Sequence, residues 1–155
     1  MLYTGLLILH LLSVTLWLGG AVYERVFLVG NIRRLRGSGQ ELGLIRIMLS
    51  SEPFFLGITT ALLLTGITMS VMSGGGFFHL NWLGFKQMVM VLVLFGFSLY
   101  IGPRMKAVKK SIRDVISLRP DDSERIHGQI ASMTKGFDLI HLGVVVNIVL
   151  AVWKP

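Results

Sequence analysis

Four residues near the start of the chain, Tyr3, His10, Trp17 and Glu24, recur at every seventh position of LYTGLLILHLLSVTLWLGGAVYERV. Seven residues is close to two helical turns, so these side chains share one face of a helix, with Ser13 and Gly20 beside them. The surrounding stretch is apolar enough to enter a bilayer, where an ionisable group must find a partner or a cofactor. His10 is therefore the first candidate for chemistry. An imidazole on a rigid helix suits the axial position of a b-type haem, which also needs an apolar slot with aromatic or small residues along the ring. Trp17 and Gly20 offer those on the same face. The packing alternative is a neutral histidine bonded to Ser13 or to a neighbouring helix.

Lys86 stands about one turn into a later apolar stretch. It reads either as a lysine snorkelling to headgroups or as one turned inward, pairing with an anionic cofactor group or ligating a metal. At the depth of His10 the spacing places Lys86 and Met90, not a second histidine. Met69, Met72, Met88 and Met90 fit core packing, with soft ligation of Cu(I) helped by His10 or His79 as the alternative. Towards the other face of the membrane, His141 follows Asp138 by three residues and shares its side of a helix, at a depth close to Glu24 and Arg25. That cluster is either an interfacial polar group with satisfied bonds or a second ligand, quinone or proton site. His10, His79 and His141 are the candidate metal ligands; His10, Trp17, Lys86, Met90 and His141 are the candidate cofactor-binding set. His127 reads as a solvated residue of a connecting hairpin.

These side chains need rigid elements to carry them, and the composition says which. The chain has 155 residues, 53% of them hydrophobic, and a mean hydropathy of +0.71. Four apolar stretches, roughly 2–22, 54–73, 82–101 and 137–153, can each cross the ~30 Å hydrocarbon layer as a helix. The first has no basic leader and no small-residue cleavage site before Glu24-Arg25, so it reads as a retained span. Backbone groups in lipid must be satisfied within each helix. The expected fold is thus all-α: one integral membrane four-helix bundle over residues 1–155.

The net charge of +7 is concentrated in two connections, 31–50 and 104–135, while SGGGFFHLN between the second and third spans has no Lys or Arg. This positive-inside pattern places both basic loops in the cytoplasm and both termini outside. No base-reading or stacking motif accompanies the charge, so a nucleic-acid partner is not expected; the lipid bilayer is. Gly37-Ser38-Gly39 ends the first helix, and Ser50, Ser51 and Pro53 mark the start of the second. Met105, Val108, Ile112 and Val115 predict an amphipathic helix beyond the third span, and Ile126, Ile130, Met133 and Phe137 predict one leading into the fourth. The last two helices should therefore project as a cytoplasmic hairpin. With no cysteine in the chain, disulfides, thiolate metal sites, iron–sulfur clusters and covalently attached haem are excluded.

Several segments resemble one family. LHLLSVTLWLGGAVYERVFLV is similar to the first span of the CopD-like and HemJ-like membrane proteins. IRIMLSSEPFFLGITTALLLTGITM resembles their second span, NWLGFKQMVMVLVL their third, and AVWKP their ending. The resemblance implies a multi-pass protein of the bacterial cytoplasmic (inner) membrane, with a periplasmic outer side, that binds haem b or handles a porphyrin in electron transfer or redox chemistry. In the HemJ-like branch, which oxidises protoporphyrinogen, a first-span histidine and a third-span lysine form the catalytic pair; these match His10 and Lys86. The CopD-like branch implies copper handling instead. IASMTKGFDLIHL departs from the HemJ-like pattern, carrying Asp138 and His141 where an arginine–asparagine–glutamate–proline arrangement is expected. Membership of a larger respiratory or photosynthetic complex, or a homo-oligomer, is a further expectation for so small a membrane protein.

Overall fold

The computed structural model describes residues 1–74, 82–113 and 120–153. They form four long helices, α1 (Leu2–Arg34), α2 (Glu41–Met72), α3 (Trp82–Ile112) and α4 (Pro120–Trp153). Each contains a window of mean hydropathy between 1.7 and 1.9, and each is long and apolar enough to cross a membrane. A bilayer needs only about 20 helical residues, so helices of 31 to 34 residues overshoot it. The excess lies at the end where α1 joins α2 and α3 leads to α4, which carries the basic residues. We call this the basic end, and the opposite one the terminal end.

The first helix ends just before Gly37-Ser38-Gly39, as expected, but residues 41–50, expected as part of a basic loop, are helix. The cause is an apolar stripe: Leu42, Ile45, Met48 and Leu49 fall at helical spacing and are buried, while Arg46 faces outward. Ser51 is a one-residue interruption before Glu52–Met72 resumes with Pro53 in its first turn. Its hydroxyl donates back to the Met48 carbonyl at 2.6 Å, rather than capping the helix that follows. Gly37 and Gly74, at φ of 76° and 67°, close α1 and α2 in the left-handed conformation that glycine adopts without strain. The expected amphipathic stripes are present in part: Met105, Val108 and Ile112 of α3 and Ile126, Ile130 and Met133 of α4 are buried, Phe137 is partly buried, and Val115 lies outside the described residues.

Close backbone packing runs within two antiparallel pairs, α1 with α2 and α3 with α4; between the pairs it is found at the basic end. Two glycines of α4 set the second pair's spacing. A Cβ at Gly136 would stand 2.7 Å from Ile101 and Tyr100, and one at Gly143 would stand 2.8 Å from Val93. The helix surfaces touch there because no side chain intervenes. The most deeply buried side chains, including Ile32, Ile45, Ile101, Val108, Ile126 and Met133, all lie towards the basic end. Elsewhere the outward faces are apolar: Leu92, Leu99, Leu139 and Val152 are exposed, the reverse of a bundle built for water. Both α1 and α3 switch to π-helical winding for about a turn, over Glu24–Leu28 and Gly96–Ile101. Such winding re-aims side chains and recurs at functional positions.

Candidate functional site

At the terminal end, all four helices contribute polar side chains to a layer inside an otherwise apolar bundle. His10 of α1 is half-buried, with Nδ1 2.8 Å from the Thr65 hydroxyl of α2. Thr65 Oγ1 also lies 2.6 Å from the Ala61 carbonyl and 3.2 Å from that of Leu62. With its proton given to either of them, the hydroxyl accepts from Nδ1–H, and the imidazole lone pair is then on Nε2. Gly66 makes room for the ring: a Cβ there would lie 3.6 Å from His10 Cε1. The Lys86 ammonium of α3 is close enough to act electrostatically on the imidazole. Within the same end, Gln87 Nε2 donates to Ser70 Oγ at 2.9 Å and ties α3 to α2. Asn147 of α4 is buried, and among the described residues its Oδ1 has no hydrogen-bond partner.

The other sequence-predicted residues are placed as follows. Trp17 is 2% exposed and meets Phe55 edge-on at 6.0 Å, with its Nε1 unpartnered among the described residues. Met90 is partly buried against the core, one turn beyond Lys86. His141 lies in the middle part of α4, stacked on Phe137 at 6.1 Å. It lines a narrow cavity with Ala21, Glu24, Arg25 and Thr134, which has room for about 10 Å³ of water centres, roughly one molecule. Arg25 is held there by Asp138 through bonds of 2.9 and 3.3 Å. Ala21 is eleven residues along α1 from His10, which is ~16 Å of helix. The structure thus places Lys86 within electrostatic range of His10 and keeps His141 apart from His10. His79 lies outside the described residues. Among the described residues, no group of three or more His, Asp or Glu side chains is arranged to hold a metal ion.

Sequence reasoning missed a second polar cluster, at the basic end. Glu41 is 0% exposed. Its Oε1 accepts from Ser123 at 2.9 Å and bonds His127 Nε2 at 2.7 Å, and its Oε2 accepts from the Gly37 N–H at 2.6 Å. His127, expected to be solvated, is instead only 13% exposed in this pair. No signal in the sequence joins residues 86 positions apart. Asn147 and Gln87 were also passed over, although each carries a readable signal, a polar residue in an apolar run, the one that singled out His10.

No protein-family model, curated protein or solved structure matches this chain.

Proposed function

We propose that the chain is a multi-pass integral membrane protein that binds a b-type haem, or a porphyrin on its way to becoming one, at its terminal end. One observation carries this reading: the Thr65 hydroxyl holds His10 Nδ1 at 2.8 Å, and with that hydroxyl donating to the Ala61 carbonyl the imidazole keeps its hydrogen on Nδ1 and offers the Nε2 lone pair that a haem ligand needs. The donor set fits the group in other respects. Lys86 would supply a cation for a propionate, or a second ligand, from within electrostatic range of His10. Trp17 and Asn147 bury polar atoms that lack partners among the described residues. When bound, haem would supply one-electron chemistry; the protein's part is to fix His10, place a cation beside it and keep water away.

Absorbance of the detergent-purified chain, expressed with haem in supply, tests the reading. A Soret band that is lost or shifted in His10→Ala is expected. A chain without such a band, or a spectrum indifferent to that substitution, would overturn it.

The nearness of Lys86 to His10 favours one finer reading, protoporphyrinogen oxidation of the HemJ-like kind. Membranes holding the chain should then oxidise protoporphyrinogen and rescue a strain lacking that step, with rescue lost in Lys86→Ala. The basic end would face the cytoplasm of a bacterial inner membrane and the His10 layer the periplasmic side, which impermeant labelling of single cysteines placed at each end would check.

A further inference from the structure

An open groove of about 590 Å³ runs between α2 and α3 at the basic end. Arg46 lines it from α2, and Lys109, Lys110 and Arg113 line it from the end of α3, with Ser50 also on its wall. Among the described residues Lys109 engages a carboxylate, Glu52, in an ion pair. Among the described residues Lys110 and Arg113 have no such partner and are exposed. Leu49 and Ile112, both buried, form an apolar floor.

The position of the groove narrows its occupant. Immediately past Glu52-Pro53 the apolar run of α2 begins, with Phe54 and Leu56 exposed. A ligand seated here would have its anionic part among four cations and its remainder beside exposed hydrocarbon. The groove also spans the place where the two helix pairs pack closely, so whatever fills it would bridge them.

We infer that this groove binds a phosphate group, and that the headgroup of an anionic phospholipid is its occupant. The lipid part of the inference rests on the membrane reading above; recognition of phosphate does not. Clustered basic residues at a membrane surface attract anionic headgroups with about 1 kcal/mol per Lys or Arg, which is roughly fivefold in affinity per cation and about thirtyfold for two. Arginine adds a planar fork matched to phosphate oxygens, and lysine a mobile point charge.

The test uses the full chain in detergent and the double variant Lys110→Gln/Arg113→Gln. Both sites are exposed and remote from His10, so the variant should keep the wild-type unfolding temperature without added lipid. Phosphatidylglycerol should raise that temperature in the wild type and phosphatidylcholine should not. Native mass spectrometry should show retained phosphatidylglycerol falling about thirtyfold in affinity in the variant. A parallel arm adds inorganic phosphate at matched ionic strength. A variant-sensitive effect of phosphate, with none from the lipid, would retain the phosphate site and overturn the lipid as its source. Equal behaviour of the two lipids with no effect of phosphate, or equal retention by the variant, would overturn the site itself. Fractionation of cells making the chain is run alongside. Recovery in the soluble fraction would overturn the membrane reading, while the phosphate arm still reports on the groove.

Discussion

His10 and Thr65, 55 positions apart in sequence, meet across the α1–α2 seam with Nδ1 2.8 Å from Oγ1, and the same hydroxyl lies 2.6 Å from the Ala61 carbonyl, to which it can donate while accepting from the ring. Thr65→Val keeps the side chain's shape and removes the acceptor. The variant should lose about 1–3 kcal/mol of stability, the usual cost of leaving a buried donor unpaired. If His10 ligates haem, affinity should also fall roughly 10- to 100-fold, as it does when the group orienting a ligand histidine is removed. Thr65→Ser retains the hydroxyl and should restore most of both. Thermal unfolding and haem titration of the three proteins check this. A valine variant equal to wild type in both measurements would show that Thr65 does not orient the ring.

The Glu41 cluster at the basic end joins the turn after α1, the first turn of α2 and the start of α4. Removing the carboxylate in Glu41→Ala leaves the Gly37 N–H and the Ser123 and His127 side chains without their shared acceptor. A loss on the order of 3 kcal/mol is expected. His127→Ala should cost less alone and should add little in the Glu41→Ala background, since both changes break one network. Unfolding midpoints of the four members of this cycle give the coupling. Simple additivity would mean that the two residues do not act as a unit.

Local pattern made the four helices legible: long apolar runs, glycines at the turns, and the buried stripes Met105–Val108–Ile112 and Ile126–Ile130–Met133. The same rules pick out His10 as a polar residue in an apolar helix. They do not pair it with Thr65, because one-residue rotations of α2 present Leu64 or Gly66 instead, and only tertiary packing selects among them. Residues 31–50 were harder. Their charge marked a connection, whereas Leu42, Ile45, Met48 and Leu49 bury a stripe against the rest of the bundle. Glu41 was illegible for a related reason: an acidic residue beside a Gly-Ser turn carries no mark of burial until α4 closes over it.

Arg25 and Asp138 link α1 to α4 through a two-pronged contact whose side chains are 40% and 47% exposed. With so much exposure, the pair should contribute no more than about 1 kcal/mol. Arg25→Ala should therefore change stability little, and less still at high salt. The exchange Arg25→Asp/Asp138→Arg should return the protein to within about 0.5 kcal/mol of wild type. Unfolding in two ionic strengths measures both effects. A salt-independent loss of several kcal/mol would mean that the pair is shielded from water by lipid or by a partner chain.

Gly143 and Val93 define how closely α3 and α4 approach. A Cβ at Gly143 would fall 2.8 Å from Val93 Cγ2, and Val93 is buried, so it has little freedom to yield. Gly143→Ala should then cost about 1–3 kcal/mol as an overpacked contact. Gly57→Ala is the control, because nothing lies within 4 Å of a Cβ added there, and it should leave stability within about 0.5 kcal/mol. Val93→Ala removes the obstructing methyl groups and should itself cost up to about 1–3 kcal/mol as a core truncation. The double variant Val93→Ala/Gly143→Ala removes two methyl groups on one side of the contact and adds one on the other. It should therefore be more stable than the sum of its parts by at least about 1 kcal/mol. Strict additivity in denaturant unfolding would show that α3 and α4 do not touch at this point.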